Sequence, residues 1–459
     1  MLTKVINYFQ DKEYFSNIYR IGFPIFIQQL AFAGLNMLGV VFVGQKGEAS
    51  VAAVGLAGQI AFLLNLIHFG TISGAAMFTA QFWGKGDIPN LKRVLGLCLL
   101  LATSFSLIFL FLAQFYPEQI LRIYSEDEAV IALGTDYMRT FSWTFLFFAI
   151  TFSFAMVMRS TGNVKAPMYV SVTALLLSTF LSYALIFGKF GFPEFGIQGA
   201  AIAAVVARAL ECVTLLTIIY KTKSPVAGSL KELFDFDLAF VGKVIRPMLP
   251  VILNELFWSL GITTYYIIYG RMGTESIAAV NIVASIEQVA FTLFTALGNA
   301  TSVHVGNRIG AGKEDQAFTF AGRSLVLGVI GGIFMALILQ LIKTPVLSLY
   351  NVSPAVLENA SNILNIISLF MWVKINNMTI VVGILRAGGD TKFSMFLDGV
   401  IIWIVGVPLT ALGAFVFNLP IYLVYLCVMS DEITKWILGI RRYRSRKWIN
   451  NLANQVEGI

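Results

Sequence analysis

The stretch YGRMGTESIAAVNI, residues 269–282, ends one long apolar run and opens the next. Its Gly270, Gly273 and Ala278-Ala279-Val280 repeat a pattern found 226 positions upstream, at Gly44, Gly47 and Ala52-Ala53-Val54. The same shift carries Pro24 to Pro250, and Gly84 and Gly86 to Gly310 and Gly312. A shift one residue longer carries Arg159 to Arg386, Gly162 to Gly389, Lys165 to Lys392 and Met168 to Met395. Gly and Ala are common enough to match by chance. Pro, Arg and Lys at a nearly fixed shift are not, so the chain reads as a tandem duplication.

The 459 residues are 58% hydrophobic and 12% charged, with a mean hydropathy of +0.79. Soluble domains are about 25% charged. Runs of about 20 apolar residues mark membrane helices. Twelve occur, near 20–43, 51–79, 93–115, 131–157, 166–188, 197–220, 243–269, 277–305, 319–342, 354–385, 393–415 and 419–440. The expected fold is an all-α integral membrane protein, with twelve transmembrane helices in two six-helix lobes. Six spans per half is an even number, so the repeat is parallel and both halves share one orientation. The N-lobe is 1–220 (spans 1–6) and the C-lobe 243–440 (spans 7–12). A polar cytoplasmic linker, 221–242, joins them, and a basic cytoplasmic tail, 441–459, follows. No continuous apolar stretch precedes Arg20, so the first span is expected to act as its own insertion signal.

The formal net charge is +7. Of the 32 Lys and Arg residues, 24 fall on one side of the twelve-span scheme, among them Lys4, Arg159, Arg386 and Lys435. Five fall on the other: Lys46, Arg122, Lys189, Arg271 and Lys343. The positive-inside rule then puts both termini in the cytoplasm of a multi-pass protein of the cell's inner or plasma membrane. This bias accounts for the basic balance without nucleic acid. The tail segment RRYRSRKW, 441–448, reads as a juxtamembrane anchor on the lipid bilayer. Cys98, Cys212 and Cys427 all lie in apolar segments and suit core packing, with no disulfide or metal spacing. GKGD and GAGK are not phosphate loops, because neither is GxxxxGK followed by Ser or Thr. No nucleophile elbow or paired His–Asp motif appears, so an enzyme is not expected. A channel would need a ring of lining charges, which one-sided acids do not make.

The charges inside the apolar runs are the functional signal. Glu255, in PVILNELFWSLG, lies about 18 Å into span 7 at 1.5 Å per residue. Glu287 and Lys374 lie at similar depth in spans 8 and 10, and Asp398 lies near the inner end of span 11. Such charges are costly unless they face a partner or a cavity. The repeat mates are Gln29, Ala61, Phe147 and Ser171, none charged, so the ionisable cluster belongs to the C-lobe alone. Asn254, Asn281, Asn376 and Asn377 are close in sequence. Trp258, Ile262, Tyr266 and Tyr269 follow Glu255 at helical spacing, aromatic faces suited to a lipophilic cation or to plain packing. Lys374 is expected to balance Glu255, as a fixed structural pair or as a switch, with Glu287 the next partner in line. Arg208 and Glu211, three apart, read as a structural pair, and His68 and His304 as packing.

The stretches FVGQKGEASVAAVGLAGQI, AQFWGKGD, MRSTGNVKAPM, FGIQGAAIAAVVAR, YGRMGTESIAAVNI, GNRIGAGKED and ILRAGGDTKFSMFLD resemble the multidrug and toxic compound extrusion (MATE) family. They cover nearly the whole chain, at matching places in both halves. The resemblance implies two lobes facing across a cleft. It also implies export of small organic, often cationic and lipophilic compounds by alternating access, in exchange for Na⁺ or H⁺. A Glu in span 7, matched by Glu255, makes the chain closer to the NorM-like branch than to the DinF-like branch. The NorM-like Asp of span 10 is missing, with Lys374, Asn376 and Asn377 in that region, and the DinF-like Asp of span 1 is replaced by Gly39, near Asn36. The coupling set expected is therefore Glu255, Glu287, Lys374, Asn254, Asn281, Asn377 and Asp398. The substrate cavity expected is Gln29, Asn36, Trp258 and Tyr266. No cofactor is expected beyond the coupling ion, Na⁺ or H⁺, with any Na⁺ at Glu255, and the chain is expected to act as a monomer. The alternative is a flippase for lipid-linked saccharides of the same two-lobe build. It would need a basic cavity for pyrophosphate, and the charges predicted here are mostly acidic.

Overall fold

The computed structural model describes residues 11–350 and 352–456, and the regular structure among them is all helix. Lys4 and the last three residues of the tail lie outside the described residues. In the first half the long helices are α1 (Lys12–Gly44), α2 (Glu48–Lys85), α3 (Ile88–Phe115), α5 (Lys165–Phe187) and α6 (Ile197–Lys221), with α4 made of Glu128–Phe141 and Thr144–Ser160. In the second half they are α7 (Leu238–Arg271), α8 (Thr274–Gly310), α9 (Glu314–Leu347), α10 (Pro354–Arg386), α11 (Thr391–Val416) and α12 (Ile421–Arg444). Ten are long and apolar enough to cross a membrane, and α4, bent by 44° at its break, makes an eleventh. The remaining helix, α12, has 24 residues but carries Asp431, Glu432 and Lys435 within it.

The helices overrun the apolar runs. The helix α2 has 38 residues against an expected span of 51–79, because caps and turns end a helix, not the point where side chains become polar. Asp87 caps α3 by accepting from the Asn90 N–H at 3.1 Å, and Ser353 caps α10. The duplicated turns explain the opening motif. Gly47 and Gly273 sit at φ +100° and +118°, where a side chain is strained, and each reverses the chain between two long helices. Pro24 and Pro250 lie inside α1 and α7, each removing one backbone hydrogen bond at the same place in its half.

The chain divides into two compact units. The amino-terminal unit is Ile27–Thr79 with Asp87–Val241, and the carboxy-terminal unit is Met1–Phe26, Ala80–Gly86 and Gly242–Ile459. The core of the first is built on Leu64, Leu121, Ile131, Met138, Phe145 and Ile186. In it α5 and α6 touch backbone to backbone, since a Cβ on Gly199 would lie 2.6 Å from the Leu185 carbonyl carbon. The expected linker is partly ordered into a capped turn, Leu230–Leu233, with a Ser229/Glu232 capping box. It docks on α3 where Gly96 leaves room, held by Lys92–Glu232 at 2.8 Å and Arg93–Asp235 at 2.6 Å.

In the carboxy-terminal unit the last turns of α2 cross the end of α8. A Cβ on Gly84 would lie 2.0 Å from the Asn307 carbonyl oxygen, and one on Gly310 would lie 1.9 Å from that of Gln81. Residues 81 and 84 are the repeat mates of 307 and 310, so the two helix ends present the same strip to each other. The tail covers this crossing. Gln81 donates to the Ala387 carbonyl at 2.9 Å and accepts from the Leu452 N–H at 2.6 Å. Part of the segment expected to anchor on lipid is held against the protein: Arg442 pairs with Asp390 and Arg446 with Asp315, both at 2.6 Å, and Trp448 is fully buried.

Leu at position 84 or 310 is expected to destabilise the protein by about 1–3 kcal/mol or more, since backbone on both sides must part. Gly39→Ala, on α1 with nothing within 4 Å of the added Cβ, is expected to be neutral or stabilising. Thermal unfolding in detergent checks this, and equal melting temperatures for all three variants would refute the close crossing.

Candidate functional site

Glu255 is buried on α7, and its partner is Arg386, 2.7 Å from its carboxylate. This corrects the expected Glu255–Lys374 pair. The carboxy-terminal end of α10, Thr379–Arg386, is π-helical. A π turn takes up one more residue than an α turn, so residues beyond it face directions that the 3.6-residue period does not predict. Lys374, earlier on α10, instead pairs with Glu287 of α8, which also accepts from the Tyr425 hydroxyl at 3.3 Å.

The Asn254 amide donates to Asp398 at 3.0 Å. Asp398 lies in a second π-helical run, Phe396–Val400. The residues that sequence reasoning missed are on α12. Lys435 lies 3.1 Å from Asp431 and 3.5 Å from Asp398, and both Lys435 and Asp431 are buried. Tyr265 donates to Asp431 at 3.4 Å, an approach made possible by Gly406, whose Cβ would lie 1.8 Å from the Tyr265 hydroxyl. The Asn377 amide donates to the Glu432 side chain at 2.7 Å and to its carbonyl at 2.8 Å. The signal was present: three charges within five residues of an apolar run. Lys435 by itself fits the positive-inside pattern, which hides the acids beside it.

Trp258, Tyr266, Glu287, Lys374, Asp431, Glu432 and Lys435 line a cavity of about 170 Å³. The aromatic stripe of α7 therefore faces these groups, while Glu255 lies outside the lining. Asn281 is not brought to the cluster. It is exposed on α8, where its main-chain carbonyl accepts from Ser285. Altogether the cluster holds five acids, Glu255, Glu287, Asp398, Asp431 and Glu432, against three bases, Lys374, Arg386 and Lys435. Oδ1 of Asn254, Asn377 and Asp431 are buried without a hydrogen-bond partner.

The amino-terminal unit repeats this skeleton without the surplus. Arg159, the mate of Arg386, donates to Gln28 at 2.7 Å, and Gln28 is the mate of Asn254. Ser171, the mate of Asp398, donates to Glu211 at 2.6 Å, and Arg208 binds the same carboxylate at 2.7 Å. The Arg208–Glu211 pair read as structural thus edges a cavity of about 480 Å³, lined also by Asn36, Phe32, Phe148 and Phe152. The Arg208 guanidinium stands 5.2 Å from the Phe148 ring centroid. Gln29, expected in a cavity, is exposed on α1 and outside this lining. His68 packs in the same unit, bonded to Ser106 at 3.0 Å.

The family model MatE matches residues 24–184 and 250–412, beginning at the paired Pro24 and Pro250. The uncharacterized transporter YisQ of Bacillus subtilis is 24% identical over 94% of this chain and 95% of its own. The probable multidrug resistance protein NorM of Thermotoga maritima is 23% identical, covering 90% of this chain and 88% of its own. The Vibrio cholerae MATE transporter VcmN in the bent form superposes with a TM-score of 0.85 at 17% identity, covering 95% of this chain and 97% of that one. That likeness establishes the fold.

Removing one partner of a buried ion pair costs about 3–5 kcal/mol, and removing both costs far less. Arg386→Gln is therefore expected to lower detergent stability sharply, and Glu255→Gln added to it to recover most of the loss. Glu255→Gln with Lys374→Ala is expected to be additive within about 0.5 kcal/mol. Coupling of 255 to 374 in such a double-mutant cycle, with none to 386, would overturn the pairing.

Proposed function

We propose that this chain, which belongs to the MatE family, is a multidrug efflux transporter that exchanges small organic, lipophilic cations for Na⁺ or H⁺. It is a multi-pass membrane protein. The observation that carries the exchange is the carboxy-terminal cluster, whose buried and part-buried carboxylates outnumber its bases by two. An uncompensated charge at membrane depth costs several kcal/mol, so a proton or cation from outside the chain must supply the difference. The amino-terminal cavity, about 480 Å³ and lined by Phe rings, has the size and chemistry for an organic ligand. The 170 Å³ cavity suits an ion with waters better. We place the substrate in the first and the coupling ion in the second, so that each half of the duplication carries one task. The flippase alternative is disfavoured by the same surplus, because a pyrophosphate needs excess positive charge.

In our reading both termini are cytoplasmic in the cell's inner or plasma membrane, the chain works as a monomer, and the halves alternate access by moving against each other. The test is export from proteoliposomes with a Na⁺ gradient and a pH gradient imposed separately. One gradient is expected to drive uphill movement of a fluorescent organic cation, and addition of that cation is expected to drive counter-flux of the same ion. Equal transport with neither gradient would reduce the protein to a passive carrier.

A further inference from the structure

We propose that the coupling cation is taken by Asp431 and Glu432 of α12, in competition with the tethered ammonium of Lys435. Glu255 and Arg386 then form a closed structural pair. The inference rests on the exporter reading and assigns its ion site to residues outside the set expected from sequence.

Glu255 is already neutralised. Its carboxylate lies 2.7 Å from Arg386, and neither residue lines the 170 Å³ cavity. The charges that do line it are three carboxylates, Glu287, Asp431 and Glu432, and two ammoniums, Lys374 and Lys435. One negative charge is left over within the lining, and one monovalent cation or one proton balances it; the second surplus acid of the cluster, Asp398, lies outside the lining. Lys374 is bonded to Glu287. Lys435 is left to serve Asp431 at 3.1 Å and Asp398 of α11 at 3.5 Å.

An unpartnered carboxylate oxygen lies among these lining residues, and an unpartnered amide oxygen lies on Asn377, which is bonded to Glu432. Asp431 is 2% exposed, and its Oδ2 takes the Lys435 ammonium and the Tyr265 hydroxyl of α7. Its Oδ1 has no partner. Asn377 spends its amide N–H groups on Glu432, leaving its own Oδ1 buried without a donor. Carboxylate and amide oxygens accept only, so the groups that satisfy them are a proton, a cation or water. At about 30 Å³ per water, the cavity holds an ion with a few waters. In the ion-free state Lys435 fills the role of that ion. When the cation or proton arrives, the ammonium is released towards Asp398.

The experiment measures binding on purified protein in detergent, with radioactive Na⁺ in one arm and proton uptake in unbuffered solution in the other. A Na⁺ seat gives Na⁺ binding that protons displace, and a proton seat gives uptake indifferent to Na⁺. In whichever arm the wild type responds, Asp431→Asn and Glu432→Gln are each expected to weaken binding about tenfold or more. Lys435→Gln, which removes the tethered competitor, is expected to tighten it by about the same factor. The double variant Glu255→Gln/Arg386→Gln, which removes both partners of the closed pair, is expected to bind as wild type. Should Asp431→Asn fail to fold, Glu432→Gln and Lys435→Gln carry the test. Wild-type binding by Asp431→Asn or Glu432→Gln, weakened binding by Lys435→Gln, loss of binding in a folded Glu255→Gln/Arg386→Gln, or no binding of either ion by the wild type would each overturn the assignment. Intact binding with no gradient-driven export would instead sink the exporter reading and leave the ion seat standing.

Discussion

The cost of an ionised group in hydrocarbon governs this molecule. A lone carboxylate or ammonium at the bilayer centre costs about 3 kcal/mol on insertion scales and more in simulations. The chain nevertheless places eight ionisable groups inside the long helices of its carboxy-terminal half. Their arrangement follows from the need to meet one another: Arg386 with Glu255, Lys374 with Glu287, and Lys435 between Asp431 and Asp398. Buried pairs of this kind add little stability against an apolar core, because desolvation of both ions offsets their attraction. Their retention makes sense as function, and the imbalance between acids and bases sets the sign of what the site takes up.

The duplication makes the argument sharper by supplying an internal control. Both halves keep the same backbone scaffold, with glycines at positive φ in the same turns and a proline in the same place in the first helix of each half. Both keep an arginine at the same position, yet Arg386 meets a carboxylate where Arg159 meets the Gln28 amide. An amide preserves shape and hydrogen bonding while removing the charge. One half could thus lose its surplus without losing its fold, and its cavity became roomy and aromatic. The π-helical runs at Thr379–Arg386 and Phe396–Val400 carry Arg386 and Asp398. Wide turns of this kind leave backbone hydrogen bonds poorly made and persist where side-chain geometry repays them.

The crossing of α2 and α8 adds a mechanical element. Two glycines related by the repeat bring main chain against main chain, and the tail fastens the outer side of that contact through Gln81 and the buried Trp448. A segment that composition alone would assign to lipid is thereby a structural part of the carboxy-terminal unit.

By itself the sequence determined what is periodic or local. Apolar run length located the spans, because a membrane of fixed thickness demands about 20 apolar residues per helix. The repeat showed in Pro24 and Pro250 and in the paired glycines, because turn and kink chemistry acts on the residue itself. The unusual depth of Glu255, Glu287 and Lys374 was legible for the same reason. Only the tertiary structure decided who meets whom. The choice of Arg386 over Lys374 for Glu255, the recruitment of Asp431, Glu432 and Lys435, the exclusion of Asn281 and Gln29, and the burial of Trp448 all depend on which helices are neighbours. They depend also on where π-helical turns rotate a face. Helical period reports the face within one helix. It carries no information about the helix opposite, and an ion pair is a property of both.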